Sequence, residues 1–344
     1  MKALLYHVPG LSDVLQYIDV PDPTPGARDV IIQVAATALN HLDVVQRNGW
    51  YQMPGMTFPH IAGMDVVGTV AAVGRDVSRV KIGDRVVVDP SLSEVPTESK
   101  LSGMGDIYGA LGVIGATVAG GYAQLCLVPE THVHHLPDEL SWHRAVTFPT
   151  AWLTAWHAIF EIGKLQRGET IMIHAAGSGV SVAAIQLAKH AGATVLATAG
   201  TDEKCQQAKT LGVDFTCNNR TSDVAAWARN ITNGSGVDMV FDHVGPALWA
   251  QSMFSLKPRG RLVNCGNTTG DTATIPSLGF MFHMGIQILG SDPYRYSEFA
   301  QAWKVFIGGN FQTPIDSIFH LSEGAAAQEK MQSNNFFGKI LLEP

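Results

Sequence analysis

Charge is scarce in this chain. Of its 344 residues only 15% are charged, 23 basic against 30 acidic, for a formal net charge of −7. No basic run stands out, which argues against a nucleic-acid footprint, since that needs Lys and Arg clustered on one face. Cysteine is scarce too. Cys126, Cys205, Cys217 and Cys265 are too few and too scattered for a disulfide framework, and a cytoplasmic home is the expectation that follows. Low charge leaves long uncharged stretches, and the longest, Ile107 to Pro129, exceeds the roughly 18 apolar residues that make a membrane candidate. Gly109, Gly112, Gly115, Gly120 and Gly121 punctuate it, together with Thr117 and Gln124, so it reads as a loop running into a strand over Tyr122 to Val128. Two further uncharged runs, Thr170 to Ala188 and Thr272 to Ser291, are broken by Gly-Ser-Gly and by Pro276. The amino terminus carries Lys2 but neither a long apolar core nor a small-residue cleavage site, so no signal peptide is expected.

What the chain has is apolar bulk, with 46% hydrophobic residues. A charged fraction below the roughly 25% of average domains is the opposite of a disordered composition, and the length suits about two domains of roughly 100 to 200 residues each.

The first 140 or so residues read as short β-type runs between turn signals: Val30 to Ala35, Val66 to Val73 and Arg85 to Val88, separated by Pro21 to Gly26, Val73-Gly74 and Gly83-Asp84. The pattern changes at Ser141, which can cap a helix. After Gly168 strands alternate with helices: strands Thr170 to Ala175, Thr194 to Ala199, Val213 to Cys217, Val237 to Asp242 and Arg261 to Cys265, with helices between them over Val180 to Ala191, Asp202 to Leu211, Ser222 to Asn230 and Ala247 to Leu256. Such alternation implies parallel βαβ units and a doubly wound sheet. From Ser291 onward the chain reads as helices around Glu298 to Phe306 and Ser322 to Gln332 and a last strand, Lys339 to Leu342, and it is expected to rejoin the first domain.

The element with the clearest chemistry is Ile171 to Ala193. A strand feeding a Gly-rich turn that opens a helix presents free backbone N–H groups and a positive helix end to a pyrophosphate. The turn is Gly177-Ser178-Gly179-Val180, and its fingerprint is imperfect because Val182 stands where a third glycine is usual. The second strand ends Ala199-Gly200-Thr201 with no carboxylate at its tip, and Lys204 follows. An acid there would suit the ribose of NAD, whereas its absence beside a cation suits a 2′-phosphate, so NADPH is the expected cofactor. Asn219 joins the expected contacts, while Arg220 reads either as a second phosphate contact or as a solvated loop arginine.

These motifs, taken with Gly236 to Gly245, Leu256 to Gly266 and Thr37 to Tyr51, resemble the medium-chain dehydrogenase/reductase superfamily, and within it the zinc-independent quinone oxidoreductase (zeta-crystallin-like) branch. The resemblance implies an α/β protein in which a GroES-like β-rich catalytic domain, 1–146 with 291–344, joins a Rossmann domain, 147–290, around a substrate cleft. It also implies where zinc-dependent members hold their catalytic metal, and those positions here are Asn40, Met64 and the neighbourhood of Val146. Catalytic zinc takes three ligands from Cys, His and carboxylates, and these residues do not supply them. The segment matching the structural-zinc lobe, Ser91 to Gly115, has no cysteine, so no metal is expected.

Without a Lewis acid to stabilise an alkoxide, acceptors that take hydride readily fit best, namely quinones or α,β-unsaturated carbonyls. The resemblance makes Asn40 the first candidate for a polar substrate contact, with Tyr51 as hydrogen-bond or proton donor and His41 as relay; an aromatic wall and an interdomain histidine are the competing roles of the latter two. It places Thr150, His243, Val244, Cys265, Asn267 and Ser291 near the nicotinamide and Lys339 near the cofactor phosphates. His132, His134 and His135 read as exposed histidines of a linker strand, and Trp152 with Trp156 as core packing. Relatives often pair through the edge of the Rossmann sheet, so a homodimer or homotetramer is expected, with the apolar run Ile275 to Leu289 either at that interface or in the core. Two other readings stay open: a zinc-type alcohol dehydrogenase-like enzyme, and a protein that binds NADPH without turnover.

Overall fold

Strand–helix alternation after Gly168 produces a six-stranded parallel sheet. In chain order its strands are Thr170–Ile173, Thr194–Ala199, Phe215–Asn218, Val237–Asp242, Leu256–Asn264 and Gln287–Gly290, and in space they run third, second, first, fourth, fifth, sixth, every pair parallel. This is the doubly wound dinucleotide-binding order, whose switch point lies between the first and fourth strands. The strand Val237–Asp242 is buried along its whole length, as expected where helices cover both faces. Met172, Leu196, Val240 and Leu262 pack with Val224, Ala228 and Met253 from the covering helices.

The computed structural model describes residues 1–53, 55–92, 112–292 and 294–344. Most of the cysteine-free segment Ser91 to Gly115, and the start of the uncharged stretch at Ile107, therefore lie outside the described residues. The chain divides into two units, Met1–Thr150 with Tyr294–Pro344, and Ala151–Pro293. Among the described residues no helix is long and apolar enough to cross a membrane.

The first unit is β-rich. Asp29–Ala38 is its central strand, pairing antiparallel with Asp65–Val73, Leu125–Pro129 and the last strand, Lys339–Glu343. The tail thus belongs to this unit's sheet, and it brings a strand that the sequence reading missed, Ile315–His320, parallel to Lys339–Glu343. A small antiparallel sheet adds Lys2–Tyr6, Gln16–Asp19 and His60–Ile61. One core fills the main sheet with Val30, Ile32, Val66, Val86 and Val128; a second joins Leu4, Leu39, Tyr122, Met331 and Ile340.

Two expectations need correction. The strand expected from Tyr122 begins at Leu125. The histidines expected to be exposed are mostly not: His132 is 4% exposed, and His134 stacks on Phe299 with ring centroids 4.1 Å apart, its pKa lowered to about 4 chiefly by burial. Period-two alternation marks which face a residue takes but not what covers that face, and here the helix Tyr296–Gly308 supplies Phe299.

Candidate active site

In the second unit, Thr170–Ile173 leads through His174 into a tight turn where Ala175 adopts φ 49°. The helix Gly179–His190 begins with Ser178 at its N-cap and no side chain capping it. The first-turn N–H groups of Gly179, Val180 and Ser181 have no carbonyl one turn back to bind, so they form an anion-accepting end at the switch point. Below the turn lies a buried polar chain. His174 binds Thr198 Oγ1 through Nδ1 at 2.8 Å and Ser252 Oγ through Nε2 at 2.9 Å. Ser181 Oγ donates to the His174 carbonyl at 2.7 Å and sits 2.8 Å from His243 Nε2. The hydroxyl has one hydrogen, so the His243 contact requires the proton on that Nε2. Asp242 Oδ1 accepts from Val244 N at 2.7 Å and Gly245 N at 2.9 Å, which fixes the loop after the fourth strand, where Gly245 takes φ 82°.

At the tip of the second strand, a Cβ built on Gly200 would stand 3.2 Å from Arg220 Nε. The guanidinium therefore lies over Gly200, at the point where a carboxylate would stand in an NAD site. Asn219 N donates to the Ala199 carbonyl at 2.9 Å, and Asp202 is held by Asn218 Nδ2 at 2.9 Å. Thr201 accepts from Lys204 N at 3.2 Å, which caps the helix Asp202–Lys209.

In the first unit the segment Leu39–Asp43 builds a second cluster. Asn40 caps the short helix His41–Arg47, and Asp43 Oδ2 closes the box on Asn40 N at 2.8 Å. Asn40 Nδ2 donates to Asp65 Oδ2 at 3.0 Å, with a longer 3.4 Å contact to the Ala38 carbonyl. The Lys339 ammonium donates to the Leu39 carbonyl at 2.8 Å, to Asn40 Oδ1 at 2.9 Å and to Asp65 Oδ2 at 2.9 Å. Asp65 Oδ1 accepts from Thr150 N at 2.8 Å, and Tyr122 OH donates to Asp43 Oδ2 at 2.9 Å. His41, one residue on, has its pKa lowered to about 4, by burial first and by the Lys339 charge second, so its ring is neutral near pH 7.

Residues 26–138 match the alcohol dehydrogenase GroES-like domain, and residues 179–307 match the zinc-binding dehydrogenase domain. The chain is 30% identical to a quinone oxidoreductase of Pseudomonas aeruginosa over 352 aligned positions, covering 100% of this chain and 99% of that protein. The chain belongs to the medium-chain dehydrogenase/reductase superfamily. Within it, an acryloyl-coenzyme A reductase of Sulfurisphaera tokodaii is 27% identical, with both chains fully covered. Among solved structures, one of an NAD-dependent alcohol dehydrogenase superposes with a TM-score of 0.93 at 34% identity, and one of the Escherichia coli quinone oxidoreductase complexed with NADPH with 0.83 at 25%, both covering 100% of each chain. The protein is an NAD(P)-dependent oxidoreductase of the quinone oxidoreductase branch.

The superfamily's catalytic zinc does not fit these residues. Met64 and Val146 are buried apolar side chains, and Asp65 Oδ2 together with Asn40 Oδ1 already holds an ammonium. Among the described residues no three His, Cys, Asp or Glu side chains group as metal ligands. A nicotinamide dinucleotide does fit the second unit, given the uncapped helix end and the guanidinium over Gly200.

Every cofactor residue expected on the sheet sits in the loop past the carboxyl end of a strand, or, for Gly179, Val180 and Lys204, in the following helix. His243 and Val244 are buried at 7% and 9% exposure, whereas Asn267 is exposed and donates to Asp271 at 2.8 Å. Burial pushes the Cys265 thiol up, so it stays protonated. Ser291 Oγ and Thr150 Oγ1 are buried without a hydrogen-bond partner. Tyr51, beyond the helix His41–Arg47, is 41% exposed. Lys339 departs from expectation: it is 5% exposed, and all three of its N–H groups are taken by oxygens of its own unit, leaving none for a phosphate. Sequence reading passed over Asp43, although Asn40-His41-Leu42-Asp43 has capping-box spacing.

Asp43 and Asp89 give the fold a pH dependence. Burial raises Asp43 to about 7 and Asp89 to about 8, above the unfolded value of about 3.9. The folded chain then holds protons that the unfolded one releases, so stability falls as pH rises from about 4 to about 8, by up to about 1.4 kcal/mol per pH unit for each group. Asp43→Asn stays neutral throughout; it should melt above the wild type at pH 8, with an advantage that shrinks below about pH 7 and is lost near pH 4. Parallel melting curves across this range would mean that Asp43 is ionised in the folded protein.

Proposed function

We propose that the protein transfers hydride from NADPH to a quinone or an activated α,β-unsaturated carbonyl, without a metal. The observation that carries this reading is the ammonium of Lys339 held by Asn40 and Asp65, where zinc relatives keep a ligand. An internal cation bound to protein oxygens cannot polarise a substrate carbonyl as an open metal site does, which favours acceptors that are already electron-poor. Bound NADPH supplies the hydride. Asn40 Nδ2 keeps one hydrogen in only a 3.4 Å contact and serves as donor to the oxygen on which charge develops. The neutral His41 ring adds no charge, and the partly exposed Tyr51 hydroxyl returns a proton. The guanidinium over Gly200 favours NADPH over NADH, and a reductase of acryloyl-coenzyme A among the relatives favours the enone class.

The test is acceptor-dependent oxidation of NADPH and NADH against ortho-quinones, enones, enoyl thioesters and simple aldehydes. Turnover confined to aldehydes and alcohols with NADH would replace this reading by the alcohol dehydrogenase one, and tight NADPH binding without turnover by the binding-protein one.

We assign the protein to the cytoplasm on its four free cysteines, and to a homodimer built on the second unit. The strand Gln287–Gly290 ends the sheet with one partner, and the helix before it, Leu278–Met284, buries none of its residues; Leu278 and Phe282 are 65% and 67% exposed. A second copy is the occupant that pairs an identical edge and covers an identical apolar face. Phe282→Glu is expected to shift the sedimentation coefficient to that of a monomer, and an unchanged value would move the interface elsewhere.

A further inference from the structure

The Lys339 ammonium sits in a cage of three oxygens drawn from three places in the first unit: the end of the strand Asp29–Ala38, the N-cap of His41–Arg47 and the start of Asp65–Val73. The Lys339 and Asp65 side chains are 7% and 0% exposed. The carboxamide of Asn40 is thereby clamped at both ends, its oxygen on the ammonium and its nitrogen on the Asp65 carboxylate. Charges of opposite sign on the two ends allow only one flip of that amide. The resemblance gave Lys339 to the cofactor; its contacts attach it to the residue proposed to meet the acceptor.

We propose that Lys339 is a positioning residue for hydride transfer, an internal cation that fixes the Asn40 carboxamide toward the acceptor, and that its cage is selective for a primary ammonium. This rests on the reading of Asn40 as the acceptor's contact. Three N–H groups on one nitrogen match three converging oxygens, and a planar guanidinium does not reproduce that tripod.

In Lys339→Ala, kcat for the acceptor is expected to fall about a hundred-fold, the scale of a misplaced contact, with the KM for NADPH unchanged within about twofold. n-Propylammonium, which replaces the lost atoms, should raise both the melting temperature and kcat saturably, whereas propanol and tetramethylammonium should not. Asn40→Ala should cost kcat in the wild type and add nothing in the Lys339→Ala background, because coupled residues are not additive. Should Lys339→Ala fail to fold, Lys339→Arg, which keeps Asp65 paired, is expected to show the same kcat loss. A raised KM for NADPH at unchanged kcat would return Lys339 to the cofactor. Rescue of melting without rescue of kcat, equal Asn40→Ala costs in both backgrounds, or wild-type kcat in Lys339→Arg would each overturn the proposal. Absence of any wild-type turnover overturns the reaction as well, whereas wild-type turnover with an unaffected Lys339→Ala overturns the positioning role alone.

Discussion

Gly200→Asp is expected to reverse the cofactor preference, lowering kcat/KM with NADPH by about a hundred-fold or more while raising it with NADH. The space exists, since the three atoms nearest a Cβ at Gly200 all belong to the flexible guanidinium of Arg220, the first at 3.2 Å, and Gly200 is not among the glycines with positive φ. A carboxylate there would pair with Arg220, repel a 2′-phosphate and accept hydrogen bonds from ribose hydroxyls. A hydrogen bond to a charged group contributes about 1.5–3 kcal/mol, so removing the guanidinium alone, in Arg220→Ala, should cost NADPH roughly ten- to a hundred-fold and leave NADH unchanged. Kinetics with both cofactors decide the matter, and equal losses with the two in Arg220→Ala would refute a phosphate role.

The largest stability effect is expected from Asp65→Ala. This carboxylate is fully buried and accepts from Lys339 Nζ, Asn40 Nδ2 and Thr150 N. Its loss strands a buried ammonium beside two neutral oxygens, and breaking a buried pair from one side costs about 3–5 kcal/mol. Asp65→Ala/Lys339→Met, with no charge left to strand, should recover most of that loss. Thermal melting of the single and double variants measures it, and a single variant that melts with the wild type would mean that water reaches the ammonium.

The second unit was legible because its signals are local. Alternation between Thr170 and Asp242 follows from periods of two and 3.6 residues, and the strands Thr194–Ala199 and Val237–Asp242 have the bounds expected of them. The absent acid at Gly200 is equally local. Arg220 was harder, because nothing in Asn218-Asn219-Arg220 tells which way the side chain turns once Asn219 N is anchored to Ala199. The cluster around Asn40 was only half legible. Asn40 and Asp43 are three residues apart and form a helix cap, but Lys339 reaches Asn40 across 299 positions of sequence and Asp65 across 274. No periodic pattern carries such a pairing. The strand Ile315–His320 was missed because its residues are at most half-buried or exposed, so apolar periodicity says little there. The run from Ile275 to Leu289 left interface and core in balance, since composition does not reveal which apolar side chains a fold leaves uncovered.

The place of Lys339–Glu343 in the first unit's sheet bears on how the protein is made. The second unit is one continuous segment, Ala151–Pro293, whereas the first must wait for a strand that pairs Leu341 with Ala38 and Leu342 with Thr37. During synthesis the dinucleotide-binding segment can fold as residues emerge, while the Thr37–Ala38 end of the strand Asp29–Ala38, beyond the part paired with Leu125–Pro129, stands unpaired on that flank until residues 339–343 arrive. Closing that loop is slow, because the entropy of joining distant segments is lost before their contacts form. Asp65 is without its cation throughout that interval, so the half-made first unit carries an unpaired strand end and an uncompensated carboxylate until its last residues arrive.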